Sequence, residues 1–302
     1  MRPGGGVDPV SGSPTVSLCV IARDEEHCLA SCLDSVRSLV QEIVVVDTGS
    51  TDRTVEVAVS RGARVFSYPW AGDFASARNY SLALARGQWI LVLDADEILA
   101  PVSPQELSAL LSAPGVEGYF VTIRNYLGRG ETVAEDRVVR LFKNNPAYRF
   151  TGAIHEQVAG SIMAQNGGGG LACSGLVIHH RGYLQRQLQA RDKHRRNIGI
   201  ICRALEKQPA DPFLLYSLGI EYCHCGETAR GIEQLEKALV LVRGHEGYFH
   251  DLLVLLCAAL LKAGNHDRLK TVLEGSLCMF PNDPDLLLIK EACSRTVKGE
   301  EL

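Results

Sequence analysis

The stretch of sequence that decides the fold runs from residue 89 to residue 97 and reads WILVLDADE. Five consecutive apolar residues lead directly into three acids, Asp94, Asp96 and Glu97. An uninterrupted apolar run is typical of a parallel strand covered on both faces, and open α/β sheets bind ligands just beyond the carboxyl ends of such strands. Two carboxylates this close repel each other, so they favour a hard divalent cation that lies between them and an anionic substrate. The alternative is a strand that ends in a solvated acidic turn.

Upstream of this strand, short apolar runs alternate with helical patterns. The apolar runs predict three strands, at residues 16–21, 43–46 and 65–67. This β/α alternation predicts a doubly wound sheet. Asp47 ends the second strand, and Ser50 or Thr51 is predicted to cap the helix that follows it.

Downstream of residue 97 the pattern becomes mixed. It predicts a helix at residues 103–111, further strands at 118–123, 138–142 and 176–179, and a glycine-rich loop at 166–170. The segment at residues 148–158 is irregular and dense in polar residue types that often carry function. We expect functional side chains there, because such side chains commonly lie in irregular segments.

The remainder of the chain has an all-helical pattern. A basic linker helix is predicted over residues 186–210, and residues 211–302 alternate small and large residues as tetratricopeptide helix pairs do. Gly226 and Gly264 occupy matching positions 38 residues apart, where the usual repeat is about 34 residues. So few repeats are not expected to be stable alone, so we expect them to dock on the first domain.

Composition restricts the classes of partner. A chain of 302 residues with a formal charge of −4 has room for two domains and no basic excess, which argues against nucleic acid and anionic membranes as partners. The ten cysteines are scattered through apolar segments and predict reduced core thiols in a cytoplasmic protein. The triplet at residues 223–225, Cys-His-Cys, lacks a second cysteine pair at zinc-like spacing. Residues 1–14 predict a disordered tail, and no apolar run reaches the length of a membrane span.

Six motifs in sequence order resemble those of the inverting family 2 glycosyltransferases with a GT-A fold. They are VVVDTGSTD at 44–52, ARN at 77–79, LDADE at 93–97, RLF at 140–142, HE at 155–156 and HRGY at 180–183. The resemblance covers residues 15–185 and is strongest to the bacterial branch that adds tetratricopeptide repeats. It implies a Rossmann-like α/β domain followed by an all-α repeat domain.

The resemblance also implies a reaction. A hexosyltransferase of this kind moves a sugar from a nucleotide-diphosphate donor, here a UDP-sugar, to an acceptor hydroxyl or thiol with the help of Mg²⁺ or Mn²⁺. The helical repeats would hold a peptide or protein acceptor, or form a homodimer. The competing hypothesis is a scaffold that has lost catalysis. A nucleotidyltransferase is disfavoured, because the loop after the first strand reads ARDEE at 22–26 and lacks the glycine-rich, basic character of a phosphate loop.

Several residues are expected to bind the donor. Asp47 is placed to accept a hydrogen bond from the imide N–H of uracil or thymine. The resemblance puts Asp94 near the ribose and Arg23 at a nucleotide-contacting position. Arg78 is expected either to bind the diphosphate or to form a buried salt bridge to a strand-end acid.

The metal and the catalytic base follow from the same resemblance. Asp96 is expected to hold the ion together with His180, with the neighbouring His179 as the alternative. An inverting displacement needs a carboxylate that takes the proton of the acceptor. Glu156 is the preferred base and Asp136 is its rival.

Overall fold

The computed structural model describes residues 14–127, 132–180 and 190–297. The described residues up to 180 form one compact unit, and those from 190 onward form a second. The predicted tail, apart from residue 14, and residues 181–183 of the sixth motif lie outside the described residues.

The first unit is built on one eight-stranded mixed sheet with the strand order β3-β2-β1-β4-β7-β6-β8-β5. The strands are β1 Val16–Ala22, β2 Glu42–Asp47, β3 Arg64–Ser67, β4 Trp89–Asp94, β5 Glu97–Leu99, β6 Gly118–Leu127, β7 Thr132–Lys143 and β8 Leu171–His180. The helices of this unit are α1 Leu29–Val36, α2 Thr54–Ser60, α3 Phe74–Leu84, α4 Pro104–Leu111 and α5 Ala159–Gln165.

The first four strands are parallel neighbours, as the β/α alternation predicted. β1 pairs with β2 on one side and with β4 on the other, and β2 pairs with β3. Strand β4 is buried along residues 89–93 and ends at the partly exposed Asp94. Because the strand order turns at β1, the crevice beyond the carboxyl ends of β1 and β4 is the expected position for a ligand.

The start of α2 differs from the prediction that Ser50 or Thr51 caps it. The helix begins at Thr54, whose backbone N–H donates to the Asp52 carboxylate at 2.9 Å. The Ser50 hydroxyl instead accepts the Asp24 N–H at 3.0 Å. Ser50 and Thr51 therefore tie the loop after β2 to the loop after β1, and they lie too far before the helix to cap it.

The second half of the sheet is mixed in direction. β7 is antiparallel to β4 and to β6, and β8 runs parallel to β6 and antiparallel to β5. The helix predicted at residues 103–111 is confirmed as α4, which has Ser103 as its N-cap and a complete capping box with Glu106. Strand β5 was not predicted, since three residues are too few to give a periodic signal.

The second unit is all helical. Its helices are α6 Ala190–Lys207, α7 Pro212–His224, α8 Thr228–Leu241, α9 Phe249–Lys262, α10 His266–Met279 and α11 Pro284–Val297. Gly226 and Gly264 each lie two residues beyond the last residue of α7 and α9, with φ of 80° and 69°, which glycine adopts at little cost. The predicted linker helix corresponds to α6, which belongs to this unit and buries Ile200 and Ile201.

The α/β domain followed by a helical repeat region confirms the predicted fold class. The prediction of core thiols holds for Cys19, Cys32 and Cys257, which are buried, but it is wrong for Cys173 and Cys278, which are exposed. Among the described residues, no helix combines the length and the apolar character that a membrane span requires.

Candidate active site

The acids that end β2 and β4 lie on either side of the end of β1. Asp47 is the register partner of Ala22, and Asp94 is the partner of Ile21. Arg23 follows β1 directly, with about half of its side chain exposed, and pairs with Asp24 at 3.7 Å. The carboxyl edge of the parallel strands therefore brings together three of the residues that the sequence singled out.

Asp94 is the centre of an acid–arginine network, which consists of Arg78, Asp94, Glu97, Arg140 and Glu156. Arg78 donates to Asp94 and to Glu156, so one guanidinium joins the β4 acid to the candidate base. Arg140 donates to the other Asp94 oxygen at 3.0 Å and to Glu97 at 2.8 Å. Glu97 also accepts the backbone N–H of Asp94 at 2.8 Å. Arg78 thus forms the salt bridge to a strand-end acid that was one of its two predicted roles.

Burial and pairing decide the charges in this network. Burial raises the pKa of Glu97 to about 7, despite the neighbouring Arg140. Burial also acts to raise the pKa of Asp94, but Arg78 and Arg140 outweigh it and hold that pKa well below its usual range. Within the described residues, the buried Arg78 Nη1 and Arg140 Nε have no hydrogen-bond partner. Buried donors without a partner are costly, so the network retains unused hydrogen-bonding capacity beside Asp94.

A second group of contacts holds Asp96. The Asp96 carboxylate lies 3.2 Å from His180 Nε2, and both side chains are partly exposed. His180 Nδ1 lies 2.8 Å from the side-chain oxygen Oδ1 of Asn125, and the side-chain Nδ2 of Asn125 donates to Asp136 at 2.9 Å. Asp136 and Asn125 thereby orient the His180 ring, which leaves Nε2 directed at Asp96.

The short strand β5 explains how His180 reaches Asp96. Glu97 is the register partner of His180, so the pairing of β5 with β8 places the end of β8 beside the acidic turn. His179 contacts the Tyr126 hydroxyl at 2.8 Å. Adjacent side chains on a strand point to opposite faces, so only one of the two histidines can face Asp96. The structure assigns that position to His180.

The side chains of Asp96 and His180 offer ligand atoms that suit a divalent cation. One carboxylate oxygen and one imidazole nitrogen, 3.2 Å apart, are ligand atoms of the kinds that bind Mn²⁺ in proteins. A histidine that binds a metal through one ring nitrogen usually has a hydrogen-bond partner on the other, as Asn125 provides here for His180.

The loop that carries Glu156 is fixed to helix α3. The Asn79 side chain accepts the backbone N–H of Phe150 at 2.8 Å and donates to its carbonyl at 2.9 Å. A bridge between Thr151 and Gln157 closes the loop, and His155 within it has a φ of 53°. The adjacent residues Arg78 and Asn79 therefore hold the candidate base and its loop, respectively.

Asp47 has a structural role in the described chain. It is only 8% exposed, and its carboxylate accepts the backbone N–H groups of Gly49 at 3.2 Å and Ser50 at 3.1 Å. These bonds shape the loop after β2. A carboxylate has about four acceptor positions, so this pairing leaves room for a further donor.

Sequence reasoning missed three residues of this site. Arg140 was quoted only as part of a motif, although a charged residue within a run of apolar strand residues is itself a signal of a buried ion pair. Asn125 gave no such signal, because its contact with His180 depends on the pairing of β6 with β8. Glu97 was named only as one of the three acids at the end of β4, and it is a buried partner of Arg140.

Comparisons with known proteins place this site in a family. Residues 17–164 match the model described as Glycosyl transferase family 2. The TPR repeat-containing protein of Synechococcus elongatus is 36% identical over 256 residues, which cover 83% of this chain and 63% of that protein. The SPbeta prophage-derived glycosyltransferase SunS of Bacillus subtilis is 26% identical over 291 residues, which cover 93% of this chain and 67% of that protein.

The chain thus spans 63% and 67% of the length of these two relatives. Among solved structures, S. aureus TarS 1-349 in complex with UDP-GlcNAc aligns over 95% of this chain and 92% of its own, with a TM-score of 0.50 and 13% identity, which is a likeness of fold. The family match contains the acid–arginine network, and the TPR-named relative fits the helical second unit. A glycosyl transferase family 2 domain thus spans residues 17–164 of this chain.

Proposed function

We propose that this chain is an inverting, metal-dependent hexosyltransferase that moves a sugar from a UDP-sugar to an acceptor hydroxyl or thiol. The observation that carries the proposal is the meeting of three groups at one sheet edge. These are Asp47 at the end of β2, the facing pair of Asp96 and His180, and Glu156 joined to Asp94 through Arg78.

Charge balance supports a metal at this edge. The acid–arginine network and Asp96 together hold four carboxyl groups against two guanidinium groups. A nucleoside diphosphate would add more negative charge to the same place, so a cation is needed to offset it. Asp96 and His180 would hold that cation, which when bound stabilises the charge on the departing diphosphate. The imidazole ligand favours Mn²⁺ over Mg²⁺, because Mg²⁺ is a harder ion that prefers oxygen.

The donor is held by the strand-end residues. Asp47 accepts the imide N–H of uracil with its remaining acceptor positions, and the exposed Arg23 lies at the start of the adjacent loop. Asp94 presents its partly exposed side chain near the ribose while two arginines keep it ionised. The UDP-GlcNAc of the TarS complex motivates a uridine nucleotide as the first donor to test.

Glu156 is the proposed base. Its carboxylate takes the proton of the acceptor, the acceptor oxygen or sulfur bonds to the anomeric carbon, and the bond to the nucleoside diphosphate breaks with the electron pair leaving on the phosphate. Arg78 supports this role, because it holds Glu156 on the same guanidinium as Asp94. Asp136 is exposed and accepts a hydrogen bond from the Asn125 side-chain amide, which fits a role in positioning His180 better than a role as the base.

The acceptor is proposed to be a peptide or protein held by the helical unit. That unit has an open groove of about 340 Å³, lined in part by Tyr216, Val254 and Asp285, that offers aromatic, apolar and acidic contacts. Tyr216 stacks on Tyr248 beside it, with ring centroids 5.1 Å apart. A homodimer through the helical repeats is the other proposed use of this unit.

A donor screen tests the proposal. The full chain is incubated with a panel of nucleotide sugars and Mn²⁺, and nucleotide release is measured with and without candidate acceptors. We expect release from a UDP-sugar by the wild type and little release by Asp96→Asn. Absence of release from every donor, together with absence of metal-dependent nucleotide binding, would favour a scaffold that has lost catalysis.

A further inference from the structure

A group of metal-ligating side chains lies in the helical unit, away from the glycosyltransferase motifs. α6 contributes His194, and α7 contributes Glu221 and His224, which are three residues apart and so share one helix face. One ligand atom from each of the three side chains lies within 4.8 Å of the others. We call this group the helical triad.

The carboxylate of the helical triad is buried and fixed in orientation. Glu221 is 6% exposed, as is Asn197, which lies one turn along α6 from His194. The Asn197 amide donates to one Glu221 oxygen at 2.7 Å, and His194 Nδ1 lies 2.5 Å from the other oxygen. A buried carboxylate needs partners, and here one oxygen is held by an amide while the other lies against the His194 imidazole.

The second imidazole completes the triad from the exposed side. The His224 ring centroid lies 4.8 Å from that of His194. His224 is exposed, so an ion has a path from solvent to the three ligand atoms. No other residue that the structure describes forms a hydrogen bond with the His224 ring, which leaves its nitrogens available.

The neighbouring thiols do not take part in this arrangement. The sulfur of Cys223 lies so close to Gly231 on α8 that any side chain at that position would overlap it. Cys223 therefore points toward α8, and within the described chain the group contains two histidines and a glutamate without a cysteine. The triplet at residues 223–225 thus contributes its histidine, in partnership with α6.

We propose that His194, Glu221 and His224 bind one divalent transition-metal ion of the Zn²⁺ class and that the ion ties α6 to α7. Two imidazole nitrogens and one carboxylate oxygen are metal ligands that suit Zn²⁺, Co²⁺ or Ni²⁺ better than Mg²⁺. Three protein ligands leave the fourth position to water. The proposal is independent of the transferase reaction, because none of its residues belongs to the first unit.

Cobalt substitution of the metal-free full chain tests the site. We expect the wild type to bind one equivalent of Co²⁺ with the visible absorption of a four-coordinate ion, and Zn²⁺ to displace it. His194→Gln and His224→Gln are each expected to lose this absorption. His250→Gln, which changes another histidine of the same unit that pairs with Asp283, is the matched control and is expected to keep it. Unchanged absorption in His224→Gln would overturn the proposal.

A second variant distinguishes the helical triad from the strand-end site, which is the pair of Asp96 and His180. Asp96→Asn is expected to retain the Co²⁺ signal, since the helical triad lies in the other unit. Loss of the signal in Asp96→Asn would assign the ion to the strand-end site, and a sulfur-to-cobalt charge-transfer band would assign it to thiolates; either result overturns the proposal.

Thermal unfolding supplies a readout that does not depend on spectroscopy. Zn²⁺ at about 100-fold above its Kd is expected to raise the Tm of the wild type by at least about 5 °C. His224→Gln is expected to have the same Tm as the wild type without metal, because His224 is exposed, and a smaller rise than the wild type with metal. An equal rise in both proteins would contradict a site that uses His224.

Discussion

At the residue scale, Glu156 and Asp136 differ in what surrounds them. Glu156 is nearly buried against Arg78, which also holds Asp94, whereas the exposed Asp136 contacts Asn125. We expect Glu156→Gln to lower kcat by about 10²–10⁴-fold, the usual contribution of a general base, while nucleotide binding is retained. Single-turnover kinetics and a nucleotide-binding titration would measure the two effects.

Asp136→Asn is the matched comparison for Glu156→Gln. A residue that acts only through Asn125 and His180 is expected to change the Mn²⁺ concentration needed for half activity more than it changes kcat. A full loss of turnover at saturating Mn²⁺ in Asp136→Asn, with near-normal turnover in Glu156→Gln, would reverse the assignment of the base.

Asn125 is expected to tune metal binding without contacting the ion. Its side chain links Asp136 to His180 Nδ1, so Asn125→Ala releases the ring that faces Asp96. Loss of a hydrogen-bond partner of a metal-binding histidine typically weakens metal affinity by about 10–100-fold. Tyr126→Phe removes the neighbouring contact to His179 and is expected to leave the affinity unchanged. A Mn²⁺ titration followed by electron paramagnetic resonance measures both, and equal affinities in all three proteins would remove His180 from the metal site.

At the element scale, the close contact of α7 with α8 depends on glycine. A Cβ at Gly219 would approach the buried Leu235 side chain to 2.6 Å, and Gly231 faces α7 across the same contact. We expect Gly219→Ala to destabilise the protein by about 1–3 kcal/mol through overpacking. Gly275→Ala in α10 meets no atom within 4 Å and is expected to stabilise by about 0.5–1 kcal/mol. Denaturant unfolding compares the two, and a neutral Gly219→Ala would show that the helices can separate without cost.

The link between α9 and α11 is expected to depend on pH. Asp283 accepts the Leu286 N–H at 2.9 Å at the start of α11 and also pairs with His250 of α9 at 2.7 Å. Burial acts to lower the pKa of His250, but its bonds to Asp283 and Asp251 outweigh burial and raise that pKa above its ordinary value of 6.5. Because the folded-state pKa is the higher one, the pairing stabilises fully below the ordinary value and is lost as pH rises through the raised one.

The contribution of this pairing is measured by comparing the pH dependence of Tm in the wild type and in His250→Gln. We expect the wild type to lose more Tm than His250→Gln when pH is raised from about 6 to about 8.5, since His250 becomes neutral in that range. Groups that titrate in both proteins cancel in the comparison. Parallel Tm curves for the two proteins would show that the ion pair contributes nothing to stability.

At the scale of the whole molecule, a chelator is expected to stop catalysis while the chain stays folded. Removal of divalent ions is expected to abolish sugar transfer, because the charges at the strand ends and the diphosphate are then without a counter-ion. The far-UV circular dichroism spectrum is expected to stay the same, since the cores of both units are apolar. Mn²⁺ is expected to restore transfer to metal-free protein. Full activity in the presence of a chelator would exclude a metal-dependent mechanism.

Elements that are formed by local interactions were predicted from the sequence, whereas elements that depend on distant pairing were not. The parallel strands, helix α4 and the helical repeats have local patterns in the sequence, such as the apolar run of β4, and these elements were predicted. Strand β5 and the long extensions of β6 and β7 were not, because their pairing partners are distant in sequence and their own patterns are short or polar.

By itself, the sequence determined that an apolar strand delivers Asp94, Asp96 and Glu97 to the carboxyl edge of a parallel sheet, because that information lies in nine consecutive residues. Only the tertiary structure decided what each acid does there. Asp94 and Glu97 are held by arginines from α3 and β7, and Asp96 faces a histidine that β5 and β8 bring to it. The physical reason is that the charge and the geometry of an acid depend on its neighbours in space, and these neighbours lie up to 84 residues away in the chain.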